Sequence, residues 1–341
     1  MTNLPINKLN LGIVLAALLV NLVACQQTPQ APTQSGDRVK VKTAYIASEG
    51  RFQQEIVNIA LEKLGYELEV KQLEPTTLHV ALGNGDLDFF SSHWEKLYQG
   101  FFDNSGGEEK LERVGAIVTN TLQGYQIDKK TAEQYKITNL QQLKEPKIAK
   151  LFDSDGDGKA NLTGCNPGWG CELVIEHHLD AYGLRDTVGH NQGSYNALIA
   201  DTITRYQQGE PVLYYTWTPF WLAAVLKPDE DVVWLEVPFT DLPKEQAKLT
   251  EEDTSIDGKN LGFAVDRIRT VATKKFLQAN PAAKHLFELV EIPIEDINAQ
   301  NQLFQDGEDR PEDIRRHAEN WVQKNQELFD SWVKEAKTVS E

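Results

Sequence analysis

The sequence has few basic residues for its size. Its 34 Lys and Arg face 51 Asp and Glu, so the formal net charge is −17 at pH 7. A body with this charge repels phosphate backbones, which argues against nucleic acid as a partner and leaves cationic or zwitterionic small molecules open. With 40% hydrophobic and 25% charged residues in 341, the composition is that of a globular protein large enough for two lobes.

Long apolar runs are also lacking. The one candidate, residues 11–20, has about half of the roughly 20 residues that span a bilayer. It follows Lys8 and precedes small residues at the expected cleavage site, which is the order of a signal peptide, so residues 1–24 are predicted to be one. A permanent transmembrane helix is the weaker alternative.

The end of this leader, Leu22-Val-Ala-Cys25, resembles a bacterial lipobox. The resemblance implies that Cys25 is lipidated and becomes the mature first residue, while cleavage by an ordinary signal peptidase is the alternative. Residues 25–38 are polar and contain proline, which is typical of a tether. We therefore expect a periplasmic or other extracytoplasmic protein that touches the membrane through its lipid anchor only.

Cysteine is scarce, and no cysteine or histidine cluster with metal-ligand spacing is present. Besides Cys25, only Cys165 and Cys171 occur, and export favours a disulfide between them over a zinc site. The segment 153–158 (Asp-Ser-Asp-Gly-Asp-Gly) resembles the start of an EF-hand loop, but position 12 is Gly164 instead of a bidentate carboxylate. A polar turn is expected there, with calcium as the weaker alternative, and no metal or cofactor is predicted.

From Val39 onward, short strand patterns alternate with longer helix patterns. Such alternation predicts an α/β protein with right-handed crossovers and a parallel sheet. A strand at 212–216 and a return segment at 260–266 indicate that the chain crosses twice between two lobes with a cleft between them. The predicted lobes are 39–123 with 259–341, and 124–258.

Three of the seven tryptophans occupy predicted loops at the ends of elements, where ligand crevices form in α/β sheets. They are Trp94, Trp169 and Trp217. A quaternary ammonium has no N–H to donate, so the attraction open to it is that between its charge and aromatic faces. The three indoles are therefore candidates for an ammonium cage, although each alone is more typical of core or surface packing.

The glycines around Trp169 supply a second feature. Gly168 and Gly170 allow the backbone to approach a ligand closely, and Gly170-Cys171 opens a helix predicted over 172–182. Free N–H groups at a helix start bind carboxylates, so a cage beside them suits a zwitterion. The alternative is a disulfide-closed glycine turn that binds nothing.

Four longer segments resemble one known family. They are Gly124-Tyr-Gln-Ile-Asp-Lys-Lys-Thr131, Cys165-Asn-Pro-Gly-Trp-Gly-Cys-Glu172, Tyr214-Tyr-Thr-Trp-Thr-Pro219 and Asp296-Ile-Asn-Ala-Gln-Asn301. From about Val39 to its end, the chain is similar to the glycine betaine/proline betaine-binding proteins of osmoprotectant ABC transporters. The resemblance implies a two-lobed, type II periplasmic binding protein fold with a ligand cleft between the lobes.

The resemblance also implies roles for individual residues. The family's ammonium box matches Trp94, Trp169 and Trp217. Its carboxylate contacts match the N–H groups of Gly170 and Cys171, beside a disulfide that matches Cys165 with Cys171. A family histidine that also contacts the carboxylate is replaced here by Tyr98, a longer and neutral donor.

The favoured function is therefore a receptor that captures glycine betaine or proline betaine and delivers it to a membrane permease. Two other function classes are alternatives. An exported hydrolase could use the same cleft, but the sequence has no Gly-x-Ser-x-Gly elbow. A calcium-dependent adhesion module would rest on residues 153–158 alone.

Overall fold

The computed structural model describes residues 38–46 and 50–339. The predicted signal peptide, the lipidated Cys25 and all of the tether except Arg38 lie outside the described residues. Among the described residues, no helix combines the length and the apolar character needed to cross a membrane.

The first part of the chain builds alternating strands and helices that agree with the predicted order. Gly65 and Gly85 follow the first two helices with positive φ, a conformation that stops a helix and favours glycine. The elements are β1 (Lys40–Tyr45), α1 (Arg51–Lys63), β2 (Glu67–Gln72), α2 (Pro75–Asn84), β3 (Phe89–Trp94), α3 (Gln99–Asn104), α4 (Gly107–Lys110) and β4 (Leu111–Asp128).

The middle of the chain continues the alternation with shorter elements. The helix predicted over 172–182 begins two residues earlier, at Gly170. The elements are α5 (Lys129–Tyr135), α6 (Pro146–Ala149), β5 (Ala160–Thr163), α7 (Gly170–Ala181), β6 (Val188–Asn191), α8 (Tyr195–Gln207), β7 (Leu213–Thr218), α9 (Leu222–Val225), β8 (Val232–Leu235), α10 (Glu251–Thr254), β9 (Ser255–Ile256) and β10 (Lys259–Asn260).

The last part adds one long strand and then only helices in the described residues. Two of these helices start with proline in their first turn, where its missing N–H leaves no hydrogen bond unmade. The elements are β11 (Asp266–Thr273), α11 (Lys274–Ala279), α12 (Pro281–Leu289), α13 (Ile294–Gln305), α14 (Pro311–Lys324) and α15 (Gln326–Thr338).

The strands form a mixed sheet in the order β2-β1-β3-β11-β4-β7-β5-β6, with β8 also paired to β4. The predicted parallel pairing is present between β1 and its neighbours and between β5 and its neighbours. It is wrong at the centre, where β11 runs antiparallel to β3 and β4, and β4 antiparallel to β7. The reason is that β11 enters between β3 and β4 directly after residues 261–265, with no helical crossover to turn it parallel to them.

The strand β4 divides the sheet into two sides. Its residues up to Thr121 pair with β11, and its residues from Leu122 pair with β7 and β8. We call β1, β2, β3, β11 and the first part of β4 the β3 side, and the remaining strands the β7 side. In the described part of the chain, three hydrophobic cores follow this division. The buried residues of one core all fall within 125–263 of the sequence and lie on the β7 side. The buried residues of the other two cores come before Thr121 or after Asp266 in the sequence.

Candidate functional site

A cleft lies between the β3 side and the β7 side of the sheet. All six residues that the sequence singles out for ligand binding line it, and so do several residues that the sequence did not single out. Their roles in binding remain predictions, which the geometry below supports. The six are Trp94, Tyr98, Trp169, Gly170, Cys171 and Trp217.

Trp94 is the last residue of β3, not a loop residue as predicted. Antiparallel pairing with Ile268 of β11 extends the strand to this position. Trp94 is half-buried and packs against all three hydrophobic cores, so its indole lies where the two sides of the sheet meet.

Trp169 and the two residues after it belong to the start of α7. Trp169 is the N-cap residue of this helix and its side chain makes no capping bond, so the helix begins with the N–H groups of Gly170 and Cys171. A disulfide joins Cys171 to Cys165 and closes the loop before the helix. A Cβ on Gly170 would lie only 2.8 Å from Cγ of Leu97, so glycine allows α7 to approach the residues that follow β3.

Trp217 lies inside β7, not in a loop after the strand as predicted, because pairing with Gln123 of β4 extends the strand past it. It is 8% exposed. Its ring stacks on Phe220 at 4.3 Å between centroids and lies 4.7 Å from Tyr195. It meets Trp169 edge to face, with the centroids 6.1 Å apart and the planes at 69°. Trp217 therefore packs into the hydrophobic core and also lines the cleft.

Two hydrogen bonds join the two sides of the sheet next to the cleft. The indole N–H of Trp169 donates to Oε2 of Glu74 at 3.0 Å. The hydroxyl of Thr76 donates to the carbonyl of Gly168 at 3.4 Å. Glu74 and Thr76 belong to the start of α2 on the β3 side, so these bonds hold a candidate cage wall against the opposite side of the sheet.

The turn between Trp94 and Tyr98 is fixed by a buried carboxylate. Asp266 accepts the backbone N–H groups of Lys96 and Leu97, each at 3.0 Å. Burial raises the pKa of Asp266 to about 6 against the opposing effect of these N–H donors. Above that pH the ionised carboxylate holds the turn, and so helps to fix Trp94 and Tyr98 at its two ends.

A chain of buried polar groups lies behind Tyr98. Arg113 donates from Nε to Nε2 of His93 at 3.1 Å, which leaves the proton of that imidazole on Nδ1. His93 Nδ1 then donates to Nε2 of His79 at 3.1 Å, and His79 Nδ1 donates to the carbonyl of Pro75 at 2.6 Å. Both imidazoles contact the ring of Tyr98, so two neutral histidines support this residue from behind.

The neutral state of His79 predicts a pH dependence of folding. Burial lowers the pKa of His79 to about 4; the bond to Pro75 opposes this and the charge of Arg113 adds to it. In the unfolded chain the pKa of this histidine is about 6.5, so between pH 6.5 and 4 the unfolded chain binds a proton that the folded chain does not bind. Stability that is present above pH 6.5 is therefore lost as the pH falls towards 4, by about 3 kcal/mol.

Denaturant unfolding between pH 7.5 and 4 measures this loss. The variant His79→Gln is expected to show a flatter dependence than wild type, because it lacks the titrating group. His285→Gln, a change to a histidine outside this chain of groups, is the matched control. An unchanged slope in His79→Gln would contradict the assignment.

The acidic segment that resembles an EF-hand loop is an exposed turn. The carboxylates of Asp153, Asp155 and Asp157 come within 4.8 Å of one another. Both carboxylate oxygens of Asp153 accept backbone N–H groups, one from Gly156 and the other from Gly158. The fold therefore explains these carboxylates as turn-forming groups.

Several residues that line or support the cleft were not predicted from the sequence. Glu74 and Asp266 lie 95 and 169 residues from the groups they bind, so no local pattern reveals them. Gln123 could have been found, because it immediately precedes the segment starting at Gly124 that carries the family resemblance.

Comparison with known proteins assigns the family. The family model for the substrate binding domain of ABC-type glycine betaine transport systems matches residues 39–324. The chain belongs to this family. The glycine betaine-binding periplasmic protein OusX of Dickeya dadantii is 46% identical over 332 residues, which cover 96% of this chain and 99% of the relative. The glycine betaine/proline betaine-binding periplasmic protein of Escherichia coli K12 is 50% identical over 291 residues, 85% of this chain and 87% of the relative.

Solved structures of the family share the fold. The glycine/betaine/L-proline-binding protein ProX of Borrelia burgdorferi superposes with a TM-score of 0.68 at 20% identity, covering 89% of this chain and 100% of that one. Lactococcal OpuAC in its closed, glycine betaine-bound conformation gives 0.64 at 17% identity, with coverages of 86% and 99%. The predicted two-lobed, type II periplasmic binding protein fold is confirmed.

Family membership decides between the function classes. The chain is the extracytoplasmic substrate-binding component of an ABC transporter and not an enzyme. The interpretation as an exported hydrolase finds no support among its relatives.

Proposed function

We propose that this protein captures glycine betaine, or a closely related quaternary ammonium zwitterion, and delivers it to the permease of its transporter. The observation that carries the proposal is the convergence of Trp94, Trp169 and Trp217 on one cleft beside the start of α7. The two relatives named above are called betaine-binding proteins, which supports the same ligand class.

The three indoles would bind the ammonium end. A trimethylammonium has a diffuse positive charge and an apolar surface, so π faces attract the charge and also bury the methyl groups. Trp169 and Trp217 meet nearly edge to face, which leaves a corner that Trp94 closes from the β3 side. Such a cage excludes water and needs no hydrogen bond to nitrogen.

The start of α7 would bind the carboxylate end. The N–H groups of Gly170 and Cys171 have no acceptor within their own helix, and the positive end of the helix dipole favours an anion there. Tyr98, which is 6% exposed and lines the same cleft, would add its hydroxyl as a third donor. Charge of both signs on the ligand is thus matched by groups on both sides of the cleft.

Ligand capture would close the lobes 39–123 with 259–341 and 124–258 around the cleft. The separation of the hydrophobic cores at the two sides of the sheet supports this division. The bonds from Glu74 to Trp169 and from Thr76 to Gly168 are of the kind that closure makes and opening breaks.

Calorimetric titration of the purified protein tests this function. Glycine betaine and proline betaine should bind with one site per chain, while proline, which keeps N–H groups on its ammonium, should bind much more weakly. Choline tests the carboxylate site, because it has the ammonium without the carboxylate. Absence of binding by either betaine would refute the proposed ligand class.

Replacing Tyr98 by phenylalanine should weaken betaine binding by about tenfold or less. A neutral hydrogen bond contributes roughly 0.5–1.5 kcal/mol net, and the phenyl ring keeps the packing against His79 and His93. Titration with glycine betaine measures the change, and choline is the control, because it has no carboxylate to lose a bond. An equal loss for both ligands would mean that Tyr98 acts on the shape of the cleft.

Attachment to the membrane is proposed to occur through lipid on Cys25. In exported protein, intact-mass analysis should find a mature chain that begins at Cys25 and carries acyl groups. The variant Cys25→Ser should lose the lipid mass. A wild-type chain without lipid that begins at another residue would refute the anchor and leave the binding function untouched.

A further inference from the structure

Three buried polar atoms line the cleft without a hydrogen-bond partner among the described residues. They are Oε1 of Gln53, Oγ of Ser92 and Nε2 of Gln123. Their residues are 2%, 5% and 1% exposed. Buried polar groups are rarely left unpaired, because each loses its water without compensation. Three such atoms in one cleft therefore indicate a binding subsite.

The three groups lie next to the tryptophans. Gln123 of β4 is directly opposite Trp217 of β7 in the register, so the two side chains are neighbours on one face of the sheet. Ser92 lies two residues before Trp94, where β3 has an extra residue in its pairing with β11. Such a bulge re-aims a side chain.

Gln53 belongs to the first turn of α1, and this helix start lies close to Ser92. A Cβ on Gly50, the N-cap residue of α1, would be 3.0 Å from Cβ of Ser92 and 3.3 Å from its Oγ. Gly50 lines the cleft as well. The amide of Gln53 and the hydroxyl of Ser92 thus face the cleft from the β3 side, and the amide of Gln123 faces it from the central strand.

The chemistry of the three atoms is complementary. The Oε1 atom of Gln123 accepts the hydroxyl of Tyr215 at 2.7 Å, which turns its NH₂ group towards the cleft as a donor. Gln53 presents a carbonyl oxygen, an acceptor, and the Ser92 hydroxyl can do either. None of them is charged. A hydroxyl group, which donates once and accepts as well, satisfies this set, whereas a carboxylate has no proton for Gln53 and a methyl group satisfies none of them.

We propose that Gln53, Ser92 and Gln123 form a hydroxyl-binding subsite beside the tryptophan cage, which widens the ligand range to hydroxylated betaines. With glycine betaine or proline betaine in the cleft, a water molecule occupies the subsite. A ligand hydroxyl that reaches it replaces the water and makes the same bonds. This inference rests on the proposed function of the cleft.

The test uses proline betaine and the two epimers of 4-hydroxyproline betaine, which differ from it by one hydroxyl. A hydrophobic pocket rejects an added hydroxyl by about a hundredfold. Wild type is instead expected to bind one epimer within about threefold of proline betaine, because only one epimer aims its hydroxyl at the subsite. Calorimetry measures all three affinities on the full-length protein.

Two variants remove single members of the subsite, Ser92→Ala and Gln53→Met. Each variant is expected to weaken binding of the favoured epimer by about tenfold, because that ligand's hydroxyl bonds the subsite directly. Binding of proline betaine is expected to change by less than threefold, because this ligand makes no bond to the subsite. Ser91→Ala is the matched control, since the hydroxyl of this neighbouring serine bonds Thr270 at 3.0 Å and is not part of the cleft lining.

The outcomes separate this inference from the proposed function. If both betaines bind but both epimers bind a hundredfold more weakly than proline betaine, the subsite binds only water and the inference is wrong. It is also wrong if the two variants weaken all three ligands by one common factor. If wild type binds no betaine at all, the proposed function is wrong, and the inference that rests on it is wrong as well.

Discussion

A neutral analogue of glycine betaine should bind at least a hundredfold more weakly than glycine betaine itself. The analogue is 3,3-dimethylbutanoate, in which a tert-butyl group replaces the trimethylammonium. It keeps the shape, the methyl groups and the carboxylate, and loses only the positive charge. If the three indoles act as a cage, each desolvated cation–π contact contributes about 1–2 kcal/mol, so losing all three removes about two to four orders of magnitude in affinity.

Competition calorimetry against bound glycine betaine measures this difference. The carboxylate contacts are common to both ligands, so the ratio of affinities isolates the contribution of charge at the ammonium end. Equal affinities would mean that apolar packing alone explains the tryptophans, and the cage would have to be abandoned even if glycine betaine binds well.

Replacing Trp169 by leucine should weaken glycine betaine binding by between about tenfold and a few hundredfold. The change removes one cation–π contact of about 1–2 kcal/mol and the indole N–H bond to Glu74, which contributes roughly 0.5–1.5 kcal/mol. Trp169 is the best position for this test because it is half-buried, whereas Trp217 stacks on Phe220 and supports the core.

Matched variants divide the effect of Trp169 into its parts. Trp169→Phe keeps an aromatic face without the N–H and should fall between wild type and the leucine variant. Glu74→Gln should lose part of the cross-cleft bond while the indole stays. Trp234→Leu, on β8 and outside the cleft lining, should bind normally. Full affinity in Trp169→Leu with intact folding would remove this residue from the cage.

Local patterns in the sequence predicted most of the elements and the candidate cage. The helix predicted over 172–182 matches α7 to within two residues, because amphipathic helices record their buried face in the sequence itself. The three tryptophans stood out because the sequence pattern placed them at the ends of elements, where core residues are unusual. Both kinds of signal are local, and neither needs the tertiary structure.

Long-range geometry was beyond those patterns. The antiparallel centre of the sheet depends on where β4 and β11 insert, which the order of elements leaves open. The cap that Asp266 places on the turn after Trp94 joins residues that only folding brings together. The uncharged polar atoms of Gln53 and Ser92 carry no sequence signature at all, and they are recognised only by being buried without partners.

The bond between Glu74 and Trp169 bears on kinetics more than on selectivity. Glu74 is not itself part of the cleft lining, so its bond across the cleft would add the same barrier to the exit of any solute. Changes at Glu74 would thus lengthen or shorten the residence time of every ligand by one common factor. A receptor that must hold solute in dilute surroundings and still release it promptly to its transporter can be tuned at this single carboxylate without redesign of its pocket.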